Sequence, residues 1–239
     1  MSFPSPRSKS LLGPITFVLG LLVMDGIISL ALVSNMVAFL HGYGKGPFEV
    51  TRASGGGTFF LAGHPQNLVT NQGHTTNAAG GTAVVLIGFG GLIALLLERR
   101  SRKLYGKSSK AFYTWAVFVV LSCLLSLAAL IYTFVESDNT EDQAISLPVA
   151  QDNPFPALYP LDRWTPENWY TAVLDLPLVD PYGRDRNGIE KNLRLMRGWR
   201  WNTIPLFLLG LTLSGLVLME VVRSRRVRKQ VEEAERVHI

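Results

Sequence analysis

The chain has 239 residues, of which 48% are hydrophobic and only 17% charged, with a formal net charge of +5. Soluble domains of this size carry about 25% charged residues, and here the deficit falls in four long stretches almost free of charge. That excludes a disordered chain, a disulfide-stapled secreted domain and an ordinary soluble enzyme, and leaves an all-α, multispanning integral membrane protein.

Residues 1–10 form a short tail carrying Arg7 and Lys9. Residues 11–40 are a 30-residue apolar run broken by a single charge, Asp25. A helix crosses a ~30 Å hydrocarbon core with roughly 20 apolar residues, so this run is the first predicted span. It is about twice as long as the 7–15-residue core of a secretory signal, and no A-x-A site closes it; an uncleaved anchor is expected. Asp25 lies near mid-membrane, where an aspartate costs about 2.5–3.5 kcal/mol, so it should face the bundle interior or a wet cavity. No Lys, Arg or His lies at matching depth in any span. The expected hydrogen-bond partners are therefore Ser122, Cys123 and Ser126 in the third span and Thr212 and Ser214 in the fourth. Asp25 then serves either as a structural hydrogen-bonding group between helices or as a reversible proton site, and the structural role is favoured because interhelical polar contacts are common.

The first loop, residues 41–79, is rich in Gly, Asn and Thr. After Gly55, Gly56 and Gly57, the apolar piece 58–62 is a candidate strand or hairpin edge. His41, His64 and His74 lie in this loop. Ligand spacing is what makes a metal assignment specific, and theirs matches no metal motif. They are read as solvated loop histidines, and no metal or cofactor is expected.

Residues 80–97 form the second span. Ala83, Ile87, Gly90 and Ala94 fall on one helical face, and Gly90 with Ala94 makes a small-xxx-small pair that lets another helix approach closely. The glycines at 88, 90 and 91 do not complete G-x-G-x-x-G, because position 93 is Ile. A basic loop, 98–110, leads to the third span, 111–135, which carries Ser122 and Ser126 and the single cysteine, Cys123. The fourth span, 201–222, carries Gly210 and Ser214, with Glu220 near its end. Small residues on three spans predict a tight four-helix bundle. The same faces serve packing within one chain or a homo- or hetero-oligomer, and packing within one chain is favoured.

The large second loop, 136–200, begins acidic and Pro-rich (Pro148, Pro154, Pro156, Pro160), which disfavours regular structure. Then Thr165 suits a helix N-cap, Pro166 the first helical position and Glu167 the positive dipole end. Trp164 and Trp169 occupy the two positions of a hydrophobic staple, and the helix should stop near Leu176, before Pro177. A second amphipathic segment, with Ile189, Leu193 and Met196 on one face, is expected in the membrane interface. Trp164, Trp169, Trp199 and Trp201 are read as interfacial anchors.

Residues 223–239 open with Arg223, Arg225, Arg226, Arg228 and Lys229. These suffice as a stop-transfer and orientation signal, and they are also candidate ligands for lipid headgroups, at about 1 kcal/mol each on an anionic leaflet. Glu232 and Glu233 follow Arg228 and Lys229 at i,i+4, which favours a helix continuing out of the last span.

The tails and the 98–110 loop, with Glu220 at the end of the last span, together carry 14 basic and five acidic residues, while the other two loops carry nine basic and twelve acidic. The positive-inside bias places both termini in the cytosol. The six basic residues in 184–200 run against it, but reversing the chain would violate the rule at three places instead of one. With Cys123 inside a span, no disulfide is expected in the outer loops, which separates the chain from claudin-like proteins and tetraspanins. The plasma membrane is the default location, with other endomembranes open.

Three pieces, Thr165-Pro-Glu-Asn-Trp-Tyr, Leu174-Asp-Leu-Pro and Leu195-Met-Arg-Gly-Trp-Arg-Trp-Asn, lead into a Pro-containing last span. This pattern resembles a group of uncharacterised four-span integral membrane proteins of filamentous fungi, over roughly residues 163–226. The resemblance implies topology and no activity. Three functions remain: a non-enzymatic organiser, scaffold or assembly subunit, which is favoured; a small transporter or proton- or ion-handling subunit using Asp25; and a small membrane enzyme resting on the loop histidines. The expected partners are the bilayer and other membrane helices, not nucleic acid.

Overall fold

The computed structural model describes residues 10–237, excepting the side chains at 228, 229 and 231–237. Arg7, Lys9 and the side chains of Arg228, Lys229, Glu232 and Glu233 thus lie outside the described residues. In chain order the elements are α1 (Leu12–His41), a hairpin of β1 (Phe48–Thr51) and β2 (Thr58–Leu61), α2 (Asn71–Tyr105), α3 (Lys110–Asp138), the short α4 (Leu147–Asp152) and α5 (Pro166–Leu174), and α6 (Arg184–Val237). Among the described residues four helices, α1, α2, α3 and α6, are long and apolar enough to cross a membrane.

Two of these helices outrun the hydropathy pattern. α2 begins at Asn71 rather than at residue 80. Its polar first turns are held by tertiary contacts, with Gln72, Thr76 and Ala79 buried at helical spacing and the Thr76 hydroxyl 3.4 Å from that of Thr133 on α3. α6 is one 54-residue helix with Pro205 inside it, not an interfacial segment followed by a separate span. α4 likewise forms within the Pro-rich stretch, with Pro148 in its first turn, where a missing N–H costs nothing.

The chain divides into two compact units, Met1–Ile27, Ala79–Leu127 and Pro205–Ile239 in the first, and Ile28–Ala78 and Ala128–Ile204 in the second. The first unit is helix on helix. Ile15, Leu19, Ile87, Phe112, Val119, Leu213 and Val217 are buried in it, while Phe17, Met24, Val85, Phe89, Leu96 and Val117 are among the large apolar residues left exposed. Ala83, Ala94, Ser122, Ser126, Gly210 and Ser214 are buried here, as expected of packing residues.

Gly90 is a correction. The stretch Ala83–Phe89 of α2 is π-helical, and the extra residue in that turn moves the buried face on by one. Gly91 is buried and Gly90 only partly so. A Cβ at Gly91 would stand 2.8 Å from Trp115 Cζ2 and 2.9 Å from Leu19 Cδ2, whereas one at Gly90 meets nothing within 4 Å. Trp115 is itself fixed, its indole N–H donating to the Ile87 carbonyl at 3.1 Å. Gly91→Ala is therefore expected to destabilise the first unit by about 1–3 kcal/mol through overpacking, and Gly90→Ala to be neutral or stabilising by up to about 1 kcal/mol. Thermal unfolding of the two purified variants checks this; equal effects would remove the reading of the close approach.

The second unit holds the aromatic core. Phe39, Phe48, Phe59, Tyr159, Trp164, Trp169, Tyr170 and Trp199 are all buried in one cluster with aliphatic side chains from α1, the hairpin, α5 and α6. β1 and β2 pair antiparallel from Phe48 opposite Leu61 to Thr51 opposite Thr58, so the 58–62 strand expectation is met. The two loops are stitched by backbone hydrogen bonds: Val69 N–H to the Trp164 carbonyl (2.8 Å), Trp164 N–H to Asn67 (3.1 Å) and Val179 N–H to Glu49 (2.8 Å). Gly63 is required by close approach, since any Cβ there would collide with the Gly44 carbonyl and the Lys45 backbone.

Candidate functional site

The densest arrangement of charge in the first unit lies where α2 ends. Glu98 and Arg102 stand one turn apart on α2, and Gly106, in the left-handed region at φ 65°, ends the helix. Arg102 Nε meets Glu98 Oε1 at 2.6 Å, and its Nη1 meets Glu220 Oε1 of α6 at 2.5 Å. Both carboxylates are shut off from solvent, at 0% and 1% exposure. Their second oxygens are also used: Glu98 Oε2 accepts from Ser109 N–H at 2.7 Å, and Glu220 Oε2 from Leu11 N–H at 3.2 Å. Arg102 Nη2 reaches Ser224 Oγ at 3.0 Å, and Arg223 lies 4.0 Å from Glu220. One guanidinium thereby ties the start of α1, the end of α2, the turn into α3 and the late part of α6. Buried charges are tolerated only when paired and hydrogen-bonded in this way.

By sequence alone Glu98 is a loop charge and Glu220 a span-end charge. The usable signal was the i,i+4 pair Glu98–Arg102 together with a lone acid in the otherwise basic end of the last span.

Asp25 is half-buried in the first unit, with Oδ2 enclosed and without a hydrogen-bond partner among the described residues. Three of the expected hydroxyl partners are turned elsewhere. Ser126 donates to the Ser122 carbonyl (3.0 Å), Thr212 to Leu208 (2.8 Å), and Ser214 to Gly210 (2.8 Å) and Val119 (3.3 Å). A hydroxyl in a helix satisfies itself on the preceding turn when no stronger acceptor is in reach.

Three of the four tryptophans read as interfacial anchors are core residues instead. Trp164 and Trp169 are fully buried and Trp199 nearly so; only Trp201 is exposed. Trp164 and Trp169 do form the staple across the start of α5, their rings edge to face at 5.2 Å, with Tyr159 5.7 Å from Trp169. The Trp169 indole N–H donates to the Gly63 carbonyl at 2.7 Å and the Trp164 indole to Leu161 at 3.0 Å. Thr165 caps α5 as expected, its Oγ1 accepting from Asn168 N–H at 3.3 Å, and the helix closes at Leu174, just ahead of the expected stop. Ile189 and Met196 likewise enter this core rather than a membrane interface.

Other polar groups of the second unit hold its parts together. Glu167 is flanked by Arg200 at 3.3 Å and Arg197 at 3.5 Å; burial nevertheless pushes its carboxyl above the usual range, against the pull of the two guanidiniums. The Arg200 guanidinium also lies over the rings of Phe134 and Trp201, 5.9 and 5.8 Å from their centroids. The three loop histidines occupy different settings. His41 hydrogen-bonds the Val37 carbonyl at 2.9 Å and His74 is exposed on α2. His64 is half-buried with Nε2 enclosed, and burial lowers its pKa, so it is not a solvated loop histidine. Among the described residues no group of three His, Cys, Asp or Glu side chains is placed to hold a metal ion.

Comparison with protein-family models, with curated proteins and with solved structures found no match to this chain.

Proposed function

We propose that this chain is a four-span integral membrane protein acting as a non-enzymatic organiser or assembly subunit, with both termini and the basic α2–α3 turn in the cytosol. The observation that carries this reading is the contrast between the two units. The first leaves large apolar side chains such as Phe17, Phe89 and Leu96 on its outside, and the second gathers eight of its aromatics into one buried cluster. Water drives the second arrangement; a lipid surround removes that drive and accepts the first. The second unit is then a folded module carried at the membrane. It offers an apolar patch: Phe60 and Phe155, joined by the Phe155 N–H to Phe60 carbonyl bond (2.7 Å), are about half exposed, as are Leu158 and Leu161. A rigid module with such a patch suits protein–protein contact.

Asp25, with its enclosed and unpartnered oxygen, favours a second reading as a proton- or ion-handling subunit. One substitution separates the two. Asp25→Asn keeps shape and hydrogen bonding but cannot titrate. In proteoliposomes loaded with a pH-sensitive dye, wild type and Asp25→Asn are both expected to match empty vesicles. Proton flux through the wild type that Asp25→Asn abolishes would overturn the organiser reading.

A further inference from the structure

The charge cluster has a consequence for the surface around it. The acidic residues described in the first unit are Asp25, Glu98 and Glu220, and none is exposed. Glu98 and Glu220 are spent on Arg102 inside the protein. Among the described residues no ion pair holds Arg100, Lys103, Lys107, Lys110, Arg225 or Arg226, and all six are exposed. They belong to one end of the unit, because Arg102 bonds both Glu220 and Ser224 of α6, and Arg225 lies over the Tyr113 ring of α3 at 5.7 Å from its centroid. Leu104 and Tyr105, in the last turn of α2, stand 58% and 73% exposed beside them.

The geometry points to a binding collar for anionic phospholipid headgroups, formed jointly by the α2–α3 turn and the late part of α6. A cationic rim complements a negatively charged leaflet, and each of its cations gains from the surface potential. Leu104 and Tyr105 supply what a headgroup layer takes up beside the charges, an apolar side chain and an amphipathic ring. A soluble acidic partner would match the charge but leave these two side chains without a reason. The inference rests on the four-span reading.

The test is reconstitution of the full chain into nanodiscs from a mixture of phosphatidylcholine and phosphatidylserine, followed by detergent re-extraction and mass spectrometry of co-purified lipid. Wild type should retain phosphatidylserine enriched about threefold or more over the bulk mixture, a modest return for six juxtamembrane cations. The enrichment should vanish in 1 M salt, where screening shortens to about 3 Å. It should also vanish in the variant combining Arg100→Gln, Lys103→Gln, Lys107→Gln, Lys110→Gln, Arg225→Gln and Arg226→Gln. A variant that exchanges Lys for Arg and Arg for Lys at the same six positions should keep it. No enrichment in wild type, or enrichment indifferent to salt or to the Gln variant, would overturn the collar; the salt arm decides if the Gln variant does not fold. Failure to insert into nanodiscs at all would instead strike the four-span reading.

Discussion

Arg102→Met is expected to be among the most damaging single substitutions in the first unit, costing about 3–5 kcal/mol. The mutation removes the guanidinium that meets both Glu98 and Glu220, at 2.6 and 2.5 Å. It leaves two carboxylates at 0% and 1% exposure. The cost is that of stranding buried charge, which exceeds the net worth of the ion pairs themselves. For a chain of this size each kcal/mol moves the midpoint by about 2–4 °C, so a fall of roughly 6–20 °C is expected in detergent-solubilised protein. The physical origin is checked by rescue: Glu98→Gln and Glu220→Gln added to Arg102→Met remove the stranded charges and should recover most of the loss. A single variant melting with wild type, or a triple variant less stable than the single one, would contradict the clasp.

Trp169→Ala is expected to cost the second unit about 3–5 kcal/mol. The side chain is fully buried against Trp164 and Tyr159 and holds the Gly63 carbonyl at 2.7 Å. Truncation opens a cavity and strands a buried acceptor, the second effect alone being worth about 1–3 kcal/mol. Trp169→Phe keeps most of the ring and should lose chiefly that second part. Hydrogen exchange over α5 and the β1–β2 hairpin reads the result. An interfacial anchor would behave differently, shifting the depth of the chain in the bilayer while leaving protection unchanged.

The four long apolar helices were legible because a charge-free run of 18 or more residues has few physical solutions. The start of α5 was legible for a local reason: Thr165, Pro166 and the two staple tryptophans lie within six residues of one another. What escaped was long-range. Glu220 and Arg102 are 118 positions apart, and no periodicity links them. Tryptophans beside a span suit a lipid interface and a protein core equally by composition, so only the packing around Trp164, Trp169 and Trp199 separated the two. The placement of Gly90 on the packing face followed from 3.6 residues per turn, which does not hold through a stretch that is π-helical. One oxygen of Asp25 is enclosed, in line with its mid-run position, but the hydroxyls of Ser126, Thr212 and Ser214 bond carbonyls of their own preceding turns instead of the carboxylate.

The proposed topology, in which four helices cross a bilayer with the 136–200 loop on one side and the basic α2–α3 turn on the other, is tested most directly by thiol accessibility. In a Cys123→Ala background, single cysteines are placed at Asp152, exposed at the end of α4, and at Lys107, exposed in the α2–α3 turn. A membrane-impermeant maleimide applied to intact cells should label Asp152→Cys and leave Lys107→Cys silent until the membrane is permeabilised. Equal labelling of both positions in intact cells would contradict the account.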